Sequence, residues 1–240
     1  LTRTGATVWD RHWSTPMDAK AMAITVDDAG AAWVLGQQWG DDDRWHLRLL
    51  RYDAAGAESL NRIVVVSEDF SLRPVGIGIA DDGTVIVAAE GMSGDGTVAA
   101  VTIALASDGT TRWEDSRTLS GWAAPAALAV ASTVAVTGMT GDGSTTDGFV
   151  ILYQTDGSPL MSRTYDSGDN ATEQLSHVAI DSQGRVHAAG WAASSPLSSR
   201  VLAVRYLPDG TLEDDYLHQH ASEGRHRTTA LTVDAGDNAL

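Results

Sequence analysis

The chain has 240 residues, a formal net charge of −16 at pH 7 and no cysteine. The absence of thiols excludes disulfides and cysteine chemistry. The acidic balance disfavours nucleic acid and anionic membrane surfaces as partners, because both need a basic protein face. No apolar run reaches the roughly 18 residues of a membrane-spanning helix, so no membrane insertion is predicted.

A short glycine turn recurs along the chain at nearly constant spacing. Its glycines are Gly5, Gly56, Gly109, Gly157 and Gly210, and the intervals between them are 51, 53, 48 and 53 residues. A period of this size is typical of solenoids, propellers and arrays. The repeat is unbroken, so a single domain is predicted.

Each period contains four short apolar runs rich in Val, Ile, Leu and Thr, which is the composition of β-strands. In chain order they are residues 23–26, 31–35, 46–52, 63–66, 75–80, 84–89, 98–105, 111–118, 127–131, 133–137, 149–153, 160–165, 178–180, 185–189, 200–206 and 212–217. No window shows a 3.6-residue apolar stripe, so no helix is predicted. Gly and Asp separate the first two runs, except in the third period, where Ser132 alone remains.

This pattern predicts an all-β fold, a β-propeller of four-stranded antiparallel blades. The complete blades are residues 21–74, 75–125, 126–174 and 175–229. Residues 1–20 are predicted to end a blade, with 6–13 as its fourth strand, and residues 230–240 to begin one. Since these two ends lack a third strand, we expect a single propeller domain or a fragment that belongs to a larger propeller.

The third period carries a recognisable series of motifs. It reads Thr137-Gly138, then Asp147-Gly-Phe-Val150, Asp156-Gly157 and Ser167-Gly-Asp169. This series resembles the bacterial β-propeller repeat often called SBBP, although the second period has Glu90-Gly91 in place of Thr-Gly. The resemblance implies a secreted or cell-surface bacterial protein, and it implies no catalytic residues.

In a propeller of this kind, the links between second and third strands and the links between blades emerge on one side, here called the loop face. Binding residues are usually found on loops that a rigid scaffold holds. The predicted ligand-binding residues of this face are Trp39, Asp41, Asp42, Asp43, Trp45, Trp122 and Trp191, and the inter-blade links add Asp166, Asp169 and Glu173. Indole rings and carboxylates together suit a glycan, and aromatic residues also anchor protein partners. The alternative is that the tryptophans fill gaps between blades, which we favour for Trp33 and Trp113 because both lie within strands.

Metal signals are weak in this sequence. Asp142 and Asp147 offer oxygen ligands suited to Ca²⁺, but the spacing of an EF-hand is missing. His218, His220 and His226 could bind Zn²⁺, and a polar outer strand would explain them equally well. No cofactor is therefore predicted, and calcium is the ion that the acidic loops could accept.

The main functional hypothesis is a non-catalytic binding or scaffolding module, not an enzyme, that recognises protein or glycan through its loop face. The first alternative is a hydrolase or lyase that acts on polysaccharide with loop-face carboxylates as catalysts. The second alternative is a structural spacer. Acidic residues are too numerous in the sequence for one catalytic pair to stand out.

Overall fold

The computed structural model describes residues 4, 6–66, 70–143, 145–168, 171–195, 197–218 and 224–240. Over these residues it contains sixteen strands and no helix, and so no helix able to cross a membrane. The strands are β1 (Ala19–Val26), β2 (Ala32–Trp39), β3 (Trp45–Tyr52), β4 (Glu58–Val64), β5 (Ser71–Ile79), β6 (Val85–Met92), β7 (Val98–Leu105), β8 (Thr111–Arg117), β9 (Trp122–Val130), β10 (Thr133–Gly141), β11 (Thr146–Gln154), β12 (Pro159–Tyr165), β13 (Thr172–Ile180), β14 (Val186–Ser195), β15 (Ser198–Tyr206) and β16 (Leu212–His218).

The strands form four antiparallel sheets of four strands, each in chain order: sheet 1 (β1–β4), sheet 2 (β5–β8), sheet 3 (β9–β12) and sheet 4 (β13–β16). The first strands β1, β5, β9 and β13 contact one another in succession, so the sheets follow each other around a common inner side. The predicted all-β fold of four-stranded antiparallel sheets is confirmed.

Glycine closes the hairpin between the first and second strands of three sheets. Gly30, Gly83 and Gly184 have φ angles of 78°, 79° and 76°, a region that side chains disfavour and glycine adopts freely. In sheet 3 the turn is shorter, and the amide of Ala131 donates directly to the carbonyl of Thr133 at 2.9 Å. The deletion predicted at Ser132 therefore changes the hairpin geometry.

The core lies between neighbouring sheets. Leu35 and Leu47 of sheet 1 pack with Val87 and Ile103 of sheet 2, and all four are fully buried. Trp33 joins this cluster with 2% of its surface exposed, so its predicted packing role is confirmed. The burial of apolar faces between sheets is the main source of stability in such a layered fold.

A second contact recurs between neighbouring sheets at the glycine turn after each third strand. A Cβ added to that glycine would meet a side chain from the preceding fourth strand, or from the segment that stands in its place. The pairs, given as glycine and covering residue, are Gly56 and Trp9, Gly109 and Leu60 together with the closer Arg62, Gly157 and Trp113, and Gly210 and Met161. Successive sheets are therefore fitted together by one repeated contact.

This contact bears on the two ends of the chain. The prediction of a strand over residues 6–13 is wrong, because the segment has no strand pairing. It nevertheless places Trp9 where a fourth strand would place its covering residue, and Trp9 Nε1 donates to the carbonyl of Ala54 at 3.3 Å. At the other end Val233 and Ala239 form an antiparallel bridge, a small part of the predicted first hairpin.

Candidate functional site

The antiparallel order of each sheet determines the position of the loop face. The end of the second strand and the start of the third are paired, as Trp39 with Trp45 in sheet 1 and Gly141 with Thr146 in sheet 3. The start of the first strand lies on the same side, since Ala19 pairs with Gln38. The predicted binding residues therefore lie on this side, distributed over several sheets.

Trp39 and Trp45 form an aromatic pair at the loop face of sheet 1. Their ring centroids are 5.2 Å apart and the rings are nearly perpendicular, at 76°. Both side chains are half-buried, and the Lys20 ammonium lies 6.0 Å from the centre of the Trp45 ring. The loop between them closes through a 2.8 Å hydrogen bond from the Gly40 amide to the Arg44 carbonyl. The two indoles are thus held in a defined arrangement.

The same loop holds a carboxylate next to an imidazole. Asp42 Oδ1 lies 2.8 Å from His46 Nε2, and this hydrogen bond is the largest influence lowering the pKa of Asp42. A Cβ on Gly40 would lie 2.5 Å from both groups, so the pair requires glycine there. Asp41 and Asp43 are exposed beside it, and Asp43 has a left-handed φ of 58°. The loop therefore presents three exposed carboxylates, of which His46 orients that of Asp42.

The other predicted tryptophans lie on other sheets. Trp122 is the first residue of β9, and its carbonyl accepts a hydrogen bond from the Thr140 hydroxyl. Trp191 donates from Nε1 to Gln174 Oε1 at 3.0 Å, and the Arg227 guanidinium lies 4.8 Å from its ring centre. Among the described residues, no ring contact joins Trp122 or Trp191 to the pair on sheet 1. The structure therefore does not gather the predicted tryptophans into one aromatic site.

A cluster of three carboxylates lies where sheets 3 and 4 meet on the loop face. It consists of Asp147 in β11, Asp166 after β12 and Glu173 in β13, with one oxygen of each within 4.8 Å of the others. Burial and the charges of Asp166 and Asp147 raise the pKa of Glu173, against hydrogen bonds from Ser167 that lower it. Burial, Asp166 and Asp142 raise the pKa of Asp147. The cluster is a concentration of like charge that could hold a metal ion.

Packing between the two sheets brings these residues together. A Cβ on Gly148, next to Asp147, would lie 2.8 Å from the Leu175 side chain, so glycine lets β11 approach β13 closely. The Thr146 hydroxyl donates to the Glu173 carbonyl at 3.2 Å across the same interface. Of the two predicted calcium ligands, Asp147 belongs to this cluster and Asp142 remains in the exposed loop nearby.

The other predicted metal candidates have different partners. His218 stacks on Tyr216, and the backbone of His226 is hydrogen-bonded to Ser199. His220 and Asp169 lie outside the described residues. Within the part of the chain that the structure describes, the three carboxylates are the group able to hold a metal, and neither His218 nor His226 belongs to it.

No family model and no curated protein matches the chain. Among solved structures it is similar to the Hadza microbial sialidase Hz136, with a TM-score of 0.52 and 15% identity over 88% of this chain and 47% of the sialidase. It is also similar to the α-L-arabinofuranosidase CtGH43 from Clostridium thermocellum, with a TM-score of 0.44 and 14% identity over 85% of this chain and 73% of that one. A thermostable family-43 glycoside hydrolase gives a TM-score of 0.40 and 11% identity over 89% and 71% of the two chains.

The chain thus spans about half the length of the sialidase, and the similarity is one of fold. This similarity contradicts two predictions from the sequence, namely that the chain is a non-catalytic binding or scaffolding module and that it is not an enzyme, because the solved protein that shares this fold is by its name a sialidase. The resemblance to the SBBP repeat, and the secreted or surface location that it implies, stay predictions.

Proposed function

We propose that this chain is a β-propeller part of a hydrolase that acts on polysaccharide, with its four sheets as consecutive blades and its loop face as the substrate surface. The fold shared with a sialidase supports the enzyme class. The observation that carries the proposal is the Asp42–His46 pair, held beside the indoles of Trp39 and Trp45. This loop combines two aromatic surfaces for sugar rings with an oriented carboxylate for proton transfer.

The two indoles suit a carbohydrate ligand. Each offers a flat apolar face, on which the C–H groups of a sugar ring can pack. The exposed carboxylates of Asp41 and Asp43 are hydrogen-bond acceptors, and sugar hydroxyls are donors. A polysaccharide chain would therefore bind along the loop face by stacking on the indoles and by hydrogen bonding to this loop.

In the proposed reaction, Asp42 acts as the base. The hydrogen bond from His46 lowers the pKa of Asp42, which makes the carboxylate a weaker base. The contribution of His46 is to hold this carboxylate in one orientation, from which it accepts a proton from the water that attacks the anomeric carbon. The bond from that carbon to the leaving oxygen breaks, and the oxygen takes a proton from an acid. In glycoside hydrolysis this acid is a second carboxyl group in its protonated form.

The proposal is tested by incubating the chain with a panel of neutral and acidic polysaccharides and measuring new reducing ends. Wild type should cleave at least one of them, and Asp42→Asn should lower kcat by about 10² to 10⁴-fold with an unchanged melting temperature. Asp28→Asn, in an exposed turn on the opposite side, removes the same charge and should leave kcat unaffected. No cleavage across the panel, or an Asp42→Asn variant as active as wild type, would contradict the proposal.

A further inference from the structure

The carboxylate cluster at the junction of sheets 3 and 4 is not used by the proposed reaction, and no described cationic side chain forms an ion pair with it. Asp147, Asp166 and Glu173 place three oxygens within 4.8 Å of one another. None of the ion pairs among the described residues joins any of the three to a cationic side chain. Three carboxylates at such distances repel one another unless protons or a cation compensate them.

The burial of Glu173 is a second observation that points to a bound cation. Its side chain is fully buried, with 0% of its surface exposed. One oxygen, Oε1, accepts hydrogen bonds from the Ser167 backbone amide and hydroxyl, whereas the buried Oε2 has no hydrogen-bond partner among the residues that the structure describes. A buried carboxylate oxygen without a partner is costly, and buried charges in proteins are normally paired or bound to metals.

We propose that Asp147, Asp166 and Glu173 bind one Ca²⁺ ion, which links sheet 3 to sheet 4 at the loop face. All three ligands are hard carboxylate oxygens, the type that Ca²⁺ prefers. Ca²⁺ binds oxygen at about 2.3–2.6 Å, so two ligands on opposite sides of the ion lie about 4.6–5.2 Å apart. The three oxygens all lie within 4.8 Å of one another, so a single ion of this size can reach them. Mg²⁺ is disfavoured because it demands near-ideal octahedral geometry and gives up its water ligands reluctantly.

The scaffold supports such a site. Ser167 holds Glu173 Oε1, and the Gly168 amide donates to Asp166 Oδ1 at 2.7 Å, so both acidic side chains are oriented before an ion arrives. Asp147 and Asp166 belong to sheet 3 and its outgoing link, and Glu173 belongs to sheet 4. An ion bound by all three would therefore resist the separation of these two sheets.

The test is a calorimetric titration of the metal-free chain with CaCl₂, together with thermal melts at several Ca²⁺ concentrations. We expect one ion per chain and a melting temperature that rises with the Ca²⁺ concentration, because a ligand that binds only the folded state stabilises it. MgCl₂ should bind at least ten times more weakly. Binding is read directly, so the result does not depend on whether the chain hydrolyses polysaccharide.

Two variants assign the site. Glu173→Gln and the exposed Asp166→Asn should each weaken Ca²⁺ binding at least tenfold and remove the Ca²⁺-dependent rise in melting temperature. Asp81→Asn, in an exposed turn of sheet 2, changes the net charge equally and should bind as wild type does. The proposal is overturned if wild type shows no heat and no shift up to about 10 mM Ca²⁺, above the range of weak extracellular sites, if both site variants still bind normally, or if Mg²⁺ binds as tightly.

Discussion

Trp113 of β8 lies against Gly157 in the turn between β11 and β12, so that a Cβ on the glycine would be 2.7 Å from the indole ring. The indole Nε1 also donates to the carbonyl of Thr155 in the same turn at 2.9 Å. Sheet 2 and sheet 3 are therefore joined by a side chain that fits only over glycine. The same contact recurs at Gly56 under Trp9, which makes it a feature of the repeat.

We expect Gly157→Ala to destabilise the chain more than Gly83→Ala. Both glycines have positive φ, 91° and 79°, so both substitutions incur a similar backbone strain of about 1–3 kcal/mol. Gly83 has no heavy atom within 4 Å of the added Cβ, whereas Gly157 has the indole. The difference in unfolding free energy from urea denaturation should be about 1–3 kcal/mol, the usual cost of overpacking. Equal losses would show that the indole moves away without cost.

A buried hydroxyl forms a second link between the same sheets. Tyr153 of β11 donates to Asp115 Oδ2 of β8 at 2.7 Å, and the Tyr153 side chain is fully buried. Tyr153→Phe should cost about 1.5–3 kcal/mol, as expected for a hydrogen bond to a charged acceptor. The control is Tyr216→Phe, which removes the hydroxyl of an exposed tyrosine and should cost less than about 0.5 kcal/mol in the same denaturation experiment. If Tyr153→Phe lost as little stability as Tyr216→Phe, the hydrogen bond to Asp115 would not be a stabilising link between the sheets.

The sequence predicts the repeat well because its signals are local. Alternating apolar runs and glycine turns predict the strands, the four sheets and the different hairpin at Ser132. It wrongly predicts a strand over residues 6–13, because Trp9 contacts Gly56 through its side chain and that contact needs no strand pairing. Composition alone favoured a strand there.

The candidate sites show the same distinction. The loop with Trp39, Asp42 and Trp45 is contiguous, so its residues could be selected together from the sequence. The cluster of Asp147, Asp166 and Glu173 spans two sheets, and its spacing depends on how closely β11 approaches β13 at Gly148. The Ser167-Gly-Asp169 motif was the available signal, since Ser167 proves to hold Glu173.

Acid should weaken the fold partly through Asp181. Burial of this carboxyl opposes ionisation, but hydrogen bonds from His187, Arg185 and two backbone amides outweigh it and lower the pKa to about 2. A folded-state pKa below the unfolded value of about 3.9 means that the stabilisation is complete above pH 4–5 and is lost as the pH falls towards 2. The stabilisation that is lost over this pH range is about 2–3 kcal/mol.

This prediction is checked by urea denaturation of wild type and Asp181→Asn at several pH values from 7 to 2. The variant should be less stable at pH 7, and its stability should fall less steeply between pH 4 and pH 2. Asp28→Asn, whose carboxyl is exposed, should keep the slope of wild type. If the stability of Asp181→Asn fell with pH as steeply as that of wild type, the loss of stability in acid would come from other carboxylates.

The aromatic pair at the loop face and the buried Trp33 offer a direct comparison of recognition with packing. Trp39 is half-buried and contacts Trp45 edge to face, whereas only 2% of Trp33 is exposed. Trp33→Ala should cost about 3–5 kcal/mol, as large truncations in a core do. Trp39→Ala leaves no enclosed cavity and should cost about 1 kcal/mol, close to the average for point substitutions.

The effects on KM should be the reverse of the effects on stability. With a polysaccharide that wild type cleaves, Trp39→Ala and Trp45→Ala should raise KM at least tenfold at a temperature where both are folded, because each removes a face for a sugar ring. Trp33→Ala, measured well below its melting temperature, should keep the KM of wild type since Trp33 lies in the core between sheets 1 and 2. If Trp39→Ala instead lost as much stability as Trp33→Ala and kept its KM, the pair would belong to the packing of sheet 1, and the glycan surface would have to lie elsewhere on the loop face.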